Sequence, residues 1–379
     1  MERCSEGADL KIAFDQQVFL LQEYGGISRY ICSLAKQLSL MQGVEARVIA
    51  PLHFNRNLDA LQGVYGKGWL LPSINTKLFR LVQFASKSLA RSSINSFQPD
   101  ILHETYFSFD KYCPPGAKRV LTVYDLIHER YPALFERSHM TSGPKKAAAL
   151  RADHVICISE STRRDLIEYC GVPEEKTSVV YLGVDVEFIQ NVKVSSDEGE
   201  QFHRPFLLYV GARSGYKNFD RFVRAFSRSS RLSSAFDIVC FGGGPLQLAE
   251  LRVAEESGLR SGQITHRGGG DSILANLYNE AEALVYPSLY EGFGIPPLEA
   301  MAVGCPVISS NTSSLPEVVG DAGEYFDPTN EESILVALER VLDSPERRTE
   351  LVMRGEKQYR KFTWEKCAQE TLSIYRSLI

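Results

Sequence analysis

The stretch YEGFGIPPLEAMAVGCPV, residues 290–307, lies between the apolar runs ALVYPS (283–288) and PVISS (306–310). Both runs have the length and composition of buried strands. The segment between them carries the glycine and proline signals of a tight turn, followed by a short helical pattern. A strand, a turn, a helix and a second strand make up one repeating unit of a parallel α/β sheet.

The same alternation of strand-like and helix-like runs continues outward through the chain. Further strand-like runs lie at residues 10–15, 46–50, 100–104, 119–125, 154–159, 178–183, 206–211, 236–242 and 264–268. Several are almost entirely apolar, as expected of strands that are covered by helices on both faces. The chain has 379 residues, which is more than one hydrophobic core usually serves, so two domains are expected.

A polar stretch without periodicity, residues 190–204, separates the two series of strands. We therefore predict two doubly wound α/β domains, residues 1–190 and 191–355, which face each other across a cleft. A helical segment at 356–379 is expected to return toward the N-terminal domain. Because ligands of such sheets bind at the carboxyl ends of the strands, the cleft is the expected site.

Composition narrows the class of protein. A net charge of −5 argues against a general nucleic-acid binder, which needs a basic face. The eight cysteines form no C-x-x-C pair, a pattern typical of buried thiols in a reducing compartment. We find neither a signal peptide nor a run of about 18 apolar residues that would span a membrane. These features predict a cytoplasmic protein.

Residues 60–99 contain no acidic side chain, although five basic ones lie there: Lys67, Lys77, Arg80, Lys87 and Arg91. The helical pattern within residues 74–97 mixes these charges with leucine and phenylalanine. Such a helix either lies on an anionic membrane or packs on its sheet with a solvated basic face, and the sequence leaves both open. Membrane contact would place the protein at the inner face of the membrane and favour a lipid-linked acceptor.

Within residues 290–307, one carboxylate lies on each side of the glycine-rich turn. Glu291 precedes the predicted helix and Glu299 lies in its first turns. Gly292 and Gly294 permit a tight turn, and the helix directs its positive end at the loop, which is a site for a phosphate. Carboxylates bind hydroxyl groups, and a sugar nucleotide has hydroxyl groups on both sides of a diphosphate.

This segment resembles the E-x7-E signature of the retaining glycosyltransferases of family 4, which have the GT-B fold of two Rossmann-like domains. Similar segments follow in family order: GGISRYICSLAKQL (25–38), TVYDLIHERYP (122–132), residues 156–185, YVGARSGYKNFD (209–220) and residues 241–328. The resemblance implies transfer of a hexose, most commonly mannose or glucose, from a UDP- or GDP-sugar. The expected acceptor is a glycan or a lipid-linked sugar in polysaccharide or glycolipid assembly.

The resemblance also implies roles for individual residues. Glu291 matches the residue that contacts the donor sugar, and Glu299 matches the one that binds the ribose. Arg213 and Lys217 match an Arg and a Lys that hold the diphosphate and stabilise the departing nucleotide. The loop expected to line the donor consists of Gly292, Phe293, Gly294 and Ile295.

Two further glycine pairs are candidates for donor contacts. Gly25 and Gly26 precede a predicted helix and resemble the family's first loop, which lies against the donor phosphates. Gly243 and Gly244 are candidates for the nucleotide base, although an ordinary strand-to-helix turn explains them as well.

The sequence departs from the family at one position. Members commonly carry a histidine in a T-x-H-D-like run, near the reacting carbon of the donor sugar, whereas this chain has Tyr124 there. His128, four residues on, or Tyr124 itself takes that role, unless His128 is an ordinary surface residue. His103 is a weaker candidate.

No D-x-D motif occurs, so we expect no metal and no other cofactor. Three alternatives remain: a nucleotide-sugar 2-epimerase, a non-catalytic donor-binding or scaffold subunit, and a dehydrogenase. The dehydrogenase is disfavoured because no G-x-G-x-x-G follows the first strand. The epimerase is disfavoured by the E-x7-E segment with its Arg and Lys loop.

Overall fold

The computed structural model describes residues 9–59, 61, 66–72, 75–135, 139–185, 204–213 and 215–379. The chain divides into two compact units, the first formed by Met1–Gly183 with Trp364–Ile379 and the second by Val184–Thr363. Apart from Arg204, the polar stretch predicted to link the domains lies outside the described residues.

The first unit contains a parallel sheet of seven strands in the order β3-β2-β1-β4-β5-β6-β7. Strand β1 pairs with β2 on one side and with the central strand β4 on the other, and Ile12 stands opposite Ala46 and Ile101. The strands are β1 (Leu10–Phe14), β2 (Val44–His53), β3 (Gly66–Leu70), β4 (Ile101–Glu104), β5 (Lys118–Val123), β6 (His154–Cys157) and β7 (Thr177–Val179).

Helices alternate with these strands and cover the sheet. The longest described helix of the unit, Thr76–Phe97, packs Ala90, Ile94 and Phe97 on the core beside Leu102 of β4. The other helices are Gln17–Leu21, Gly26–Ser39, Arg56–Asp59, Ile127–Arg130, His139–Arg151, Glu160–Asp165 with a π-helical turn at Leu166–Cys170, and Trp364–Ser377, with 3₁₀ turns at Pro132–Leu134 and Glu174–Lys176.

The second unit contains a parallel sheet of six strands in the order β10-β9-β8-β11-β12-β13. The strands are β8 (Phe206–Val210), β9 (Asp237–Phe241), β10 (Ile264–Arg267), β11 (Ala283–Tyr286), β12 (Val307–Ser310) and β13 (Gly323–Phe326). The prediction of two doubly wound α/β domains is thus confirmed. The edge strands β3 and β13 were not predicted.

The helices of the second unit bury aromatic faces against this sheet. In the helix Phe219–Ser227, the spacing of Phe219, Phe222 and Phe226 places all three rings on one fully buried face. The other helices are Ser230–Ala235, Leu248–Glu256, Asp271–Glu280, Ile295–Ala302, Leu315–Val319, Glu331–Leu342 and Pro345–Tyr359, with 3₁₀ turns at Gly215–Lys217 and Gly320–Ala322.

The strand order reverses beside β8, which has β9 on one side and β11 on the other. Such a switch point separates the loops that follow the two neighbouring strands and opens a crevice between them. Here the loop after β8 and the loop after β11 meet where the backbone N–H of Leu289 donates to the carbonyl of Tyr216 at 2.7 Å.

Candidate functional site

An ion pair joins the loops after β8 and β11. Nζ of Lys217 lies 2.7 Å from Oε1 of Glu291, and the two side chains are only 14% and 12% exposed. Burial alone would lower the pKa of Lys217. The carboxylate of Glu291 and the nearby hydroxyl groups of Tyr286 and Tyr216 outweigh burial and raise this pKa well above its ordinary value. The lysine is therefore charged at neutral pH.

Asn218 fastens the lysine loop to its neighbours. It has a left-handed backbone conformation, φ 60°, which asparagine tolerates better than most residues. Its side-chain amide donates to the carbonyls of Pro287 at 3.0 Å and Pro328 at 2.8 Å. One amide group thus binds carbonyls from two separate loops. Because Asn218 is next to Lys217 in the sequence, these buried contacts fix the position of Lys217 relative to the loop after β11.

Two serines hold the loop that carries Glu291. The backbone N–H of Glu291 donates to Oγ of Ser313 at 2.9 Å. Oγ of Ser314 donates to the carbonyls of Glu291 at 2.9 Å and Phe293 at 2.7 Å. Sequence reasoning missed these positioning residues, because serines about 20 positions downstream form no recognisable spacing with the motif.

The helix Ile295–Ala302 begins directly after this loop, and Gly294 is the residue that precedes it. Gly294 has φ 120°, and a Cβ there would lie 2.9 Å from Cδ2 of Leu315. Only glycine fits both conditions. The N–H groups in the first turn of a helix have no partner within it, and because Pro296 and Pro297 have no N–H, Ile295 supplies the donor at this end.

Glu299 lies inside the same helix and is held by a tyrosine. The buried hydroxyl of Tyr278 donates to Oε2 of Glu299 at 3.0 Å. Burial, with the adjacent Glu299 carboxylate, raises the pKa of Tyr278 well above its ordinary range, so the hydroxyl keeps its proton and remains a donor. This contact sets the direction of the Glu299 carboxylate.

Arg213 has a structural environment that the sequence did not indicate. Its side chain is 1% exposed, with Nε 3.0 Å from Oε1 of Glu250. Its remaining nitrogens donate to the carbonyls of the turn after β9, at 2.8 Å to Gly242, 2.6 Å to Gly244 and 3.0 Å to Pro245. The guanidinium thus holds this turn in place, and its predicted contact with a diphosphate stays a prediction.

Gly243 belongs to the same turn. It has φ 70°, and a Cβ there would lie 2.9 Å from the carbonyl oxygen of Gly211. The close approach of two backbones therefore explains this glycine without a ligand. The sequence had left this interpretation open beside contact with a nucleotide base.

In the first unit, Gly26 is the first residue of the helix Gly26–Ser39, and Gly25 precedes it in an extended conformation. Oε1 of Gln22 accepts from the N–H of Ser28 at 3.3 Å and occupies the space into which a Cβ of Gly25 would project. A Cβ on Gly26 would meet no atom of the described residues within 4 Å, and its φ is not positive. Neither packing nor backbone geometry requires glycine at position 26.

Tyr124 and His128, the alternatives for the family histidine, differ in accessibility. Tyr124 is buried and its hydroxyl donates to the carbonyl of Thr105 at 3.1 Å. His128 is partly exposed and stacks on Phe135 with ring centroids 4.4 Å apart. Burial and the charge of Lys145 lower the pKa of His128, so its ring is neutral at neutral pH. Of the two side chains, that of His128 is the more accessible to solvent.

His103 is a core residue. It is fully buried in β4, where its Nε2 lies 2.9 Å from Oγ1 of Thr122 and its Nδ1 contacts the hydroxyl of Tyr375. Burial lowers the pKa of His103 to about 3. The ring therefore joins β4, β5 and the helix Trp364–Ser377 within one hydrogen-bond network.

Two tandem doubly wound units define a GT-B architecture, and comparison with known families agrees with it. Residues 24–188 match the model described as Glycosyltransferase Family 4, and residues 193–358 match Glycosyl transferases group 1. The chain therefore belongs to the family 4 type of glycosyltransferases, and the resemblance drawn from its motifs is confirmed.

Two relatives are mannosyltransferases of Escherichia coli. O-antigen chain mannosyltransferase B is 26% identical over 377 residues, which cover 93% of this chain and 96% of that protein. The serotype-specific mannosyltransferase WbdA is 31% identical over 283 residues, which cover 69% of this chain and 34% of that protein. The alignment thus spans about a third of the length of WbdA.

Among solved structures, Anabaena HepE in complex with UDP and glucose matches with a TM-score of 0.71, over 97% of this chain and 100% of that one. At 16% identity, the match establishes the fold. No helix in the described parts of the chain is both long and apolar enough to cross a bilayer. Within the same residues, no group of three or more His, Cys, Asp or Glu side chains is arranged to hold a metal ion.

Proposed function

We propose that this chain transfers a hexose, with mannose the first candidate, from a nucleoside diphosphate sugar to a glycan or lipid-linked acceptor with retention of configuration. The observation that carries the proposal is the contact of 2.7 Å between Lys217 and Glu291, beside the N-terminus of the helix Ile295–Ala302. Mannose comes first because two relatives are named mannosyltransferases.

The chemistry of a donor explains why these two groups are neighbours. In a nucleotide sugar, the anomeric carbon is bonded directly to a phosphate oxygen. A carboxylate that accepts from sugar hydroxyls and an ammonium group that binds the phosphate must therefore lie side by side. Breaking the glycosidic bond leaves negative charge on the departing phosphate. Lys217 and the helix N-terminus, with Gly292, Phe293, Gly294 and Ile295, would stabilise that charge.

The other predicted contacts complete the proposed donor site. Glu299, one turn or more into the helix, binds the ribose hydroxyls. Gly25, Gly26 and His128 belong to the first unit, and the contacts expected of them with the donor phosphates and the sugar stay predictions. Gly243 approaches the nucleotide base, and Arg213, which was predicted to hold the diphosphate, supports the turn of this glycine by donating to the carbonyl of Gly242. The charge on the diphosphate is met by these protein groups, so we propose turnover without a metal ion.

The test is transfer from GDP-mannose, UDP-glucose and other nucleotide sugars to lipid-linked oligosaccharide acceptors, with and without EDTA. The anomeric proton of the product, observed by NMR, reports the configuration. The proposal predicts turnover with one donor, unaffected by EDTA. It also predicts that a donor with an axial bond at its anomeric carbon gives a product with an axial glycosidic bond. An inverted product, or dependence on added metal, would overturn it.

A non-catalytic donor-binding subunit is the second candidate, and Tyr124 is the observation in its favour. This buried tyrosine stands where family members commonly carry a histidine near the reacting carbon. On this alternative, a nucleotide sugar would bind but would not be consumed, even with acceptor present. Loss of turnover in His128→Ala with donor binding retained would argue against it.

We also propose that the helix Thr76–Phe97 contacts an anionic membrane from the cytoplasmic side. Its solvent-facing surface carries Leu78, Leu81, Phe84 and Leu89, of which Leu81 is 67% and Phe84 73% exposed. Its basic residues include Arg80, Lys87 and Arg91. Exposed apolar side chains among cations are the composition of a helix that lies in a bilayer interface.

Co-sedimentation with vesicles tests this contact. Wild-type protein should bind vesicles rich in phosphatidylglycerol and not pure phosphatidylcholine vesicles, and added salt should release it. Leu81→Gln with Phe84→Gln should abolish sedimentation. Leu40→Gln is a matched control, because Leu40 is equally exposed at the end of another helix. Equal binding to both kinds of vesicle would contradict the proposal.

A further inference from the structure

Two neighbouring cavities in the first unit share a wall formed by Leu20 and Leu21 of the short helix Gln17–Leu21. The larger has a volume of about 450 Å³ and lies between the helix Thr76–Phe97 and the ends of β1 and β4. The smaller has a volume of about 260 Å³ and lies beside β3.

The smaller cavity is lined mainly by apolar side chains. Phe54 and Phe79, with ring centroids 5.7 Å apart, form one side, and Leu70 and Leu71 contribute further hydrocarbon. Its charged lining residues, Arg56 and Glu23, pair with each other at 3.0 Å. A chain of methylene or isoprene groups is the ligand that such a cavity favours.

The larger cavity has a cationic edge. Arg80, Lys87 and Arg91 follow the spacing i, i+7 and i+11, so they lie on one side of the helix. Asp110 faces them, 3.1 Å from Lys87 and 2.7 Å from Arg91. Arg80 makes no hydrogen bond or ion pair with the described residues. At this edge, one carboxylate thus stands against three cations.

Two further carboxylates, Asp15 and Glu104, line the inner wall, but their oxygens are already engaged. Thr105 donates to Asp15 at 2.6 Å, and Arg151 donates to both oxygens of Glu104 at 2.9 and 2.8 Å. Both side chains are nearly buried, so the charge that a ligand meets at the opening is positive.

We infer that the two cavities together bind the phosphate-bearing end of a single-chain lipid-linked acceptor. Arg80, Lys87 and Arg91 bind the phosphate, and the hydrocarbon next to it enters the smaller cavity past Leu21. A volume of about 260 Å³ accommodates a short length of one chain and not two chains side by side. This inference rests on the proposed function, because only glycosyl transfer makes such a ligand an acceptor.

Binding of decyl phosphate below its micelle concentration, measured calorimetrically without vesicles, tests the inference. Decyl phosphate should bind at least about tenfold more tightly than inorganic phosphate, decyl maltoside or a short-chain phosphatidylglycerol. Arg80→Gln should weaken binding of decyl phosphate by about tenfold. Lys146→Gln, which removes an exposed charge elsewhere in the unit, should change it less than about twofold.

Each contrary result rejects a distinct part of the inference. Equal binding of inorganic phosphate would reject the chain cavity, and equal binding of decyl maltoside would reject the cationic site. Tighter binding of the phosphatidylglycerol would make the site a membrane-lipid site instead. Because Arg80 has no described partner, unfolding of Arg80→Gln is not expected, and its thermal transition checks this.

A separate variant distinguishes this inference from the proposed function. Lys217→Met, in the other unit, should lose nucleotide-sugar binding and keep binding of decyl phosphate. If the wild type binds decyl phosphate but no nucleotide sugar, the proposed function fails while the cavity assignment stands. If it binds a nucleotide sugar but no decyl phosphate, only the cavity assignment fails.

Discussion

Lys217 and Glu291, 74 positions apart in the sequence, form a nearly buried ion pair of 2.7 Å between the loops that follow β8 and β11. Removing one partner leaves the other charge with little water to solvate it. We predict that Lys217→Met lowers the free energy of unfolding by about 3 kcal/mol. Urea titration measures this value.

The double variant Lys217→Met, Glu291→Leu is the matched control for that prediction. Without either charge, the site has no unpaired ion, so most of the lost stability should return. Turnover should be absent in both variants. If the single variant is as stable as the wild type, the pair is solvated and its role in the account is wrong.

The variant Gly26→Ala should change stability and turnover in opposite directions. Alanine should raise the free energy of unfolding by about 0.5 kcal/mol, because the new Cβ meets no atom and alanine favours the helix. Turnover should fall by about a hundredfold if the methyl group displaces the donor phosphates. Gly143→Ala, in another helix of the same unit, should leave turnover unchanged. Full activity of Gly26→Ala would remove this glycine from the proposed site.

Gly294→Ala should act through the backbone. At φ 120° alanine is strained, so the loop shifts toward a backbone conformation that alanine tolerates, while Cδ2 of Leu315, 2.9 Å from the added Cβ, moves aside by rotation of its side chain. We expect a loss of about 2 kcal/mol in the free energy of unfolding. Nucleotide-sugar binding should weaken as well, because the shift moves the N–H groups at the helix start. Unchanged denaturant and binding curves would contradict this explanation.

His103 should make stability depend on pH. Its pKa of about 3 in the native state lies below its ordinary value near 6.5, so only the unfolded chain binds a proton between these values. The free energy of unfolding should therefore fall as pH drops through this range, by up to about 1.4 kcal/mol per pH unit from this group. The measurement is urea unfolding between pH 5 and 7.

Glu104 changes the free energy of unfolding with pH in the opposite direction to His103. The effect of His103 is therefore measured by comparing the wild type with a His103 variant. Burial raises the pKa of Glu104 to about 7, and its contribution declines as pH rises from its ordinary value toward 7. In His103→Asn the contribution of His103 no longer offsets that of Glu104, so stability should fall more steeply toward pH 7 than in the wild type. Identical slopes in the two proteins would show that His103 does not titrate as described.

The sequence predicted the central strands of both sheets because these strands are almost wholly apolar. It did not predict β3 and β13, which lie at sheet edges and read GKGWL and GEYF. In β3 the exposed Trp69 marks a solvated strand, whereas β13 is nearly buried and its Glu324 is tolerated because Arg340 and Arg347 pair with it. Their composition therefore lacks the signal of a buried strand.

The candidate site divides in the same way. The E-x7-E spacing and the loop lysine are local patterns, and they pointed to Lys217 and Glu291 before the structure brought them together. The support from Ser313 and Ser314, and the burial of Arg213 against Glu250, depend on contacts across the fold. The sequence pattern does not report such contacts. For this reason Arg213 and Lys217, four positions apart, were assigned together to the diphosphate.

The most direct measurement of the central claim is calorimetric titration of GDP-mannose, UDP-glucose and ADP-glucose into the wild type and the double variant Lys217→Met, Glu291→Leu. The account predicts that the wild type binds one of these donors in the presence of EDTA. The folded double variant should bind none of them. Equal binding by both proteins, or no binding by the wild type, would contradict the claim that this ion pair forms the donor site.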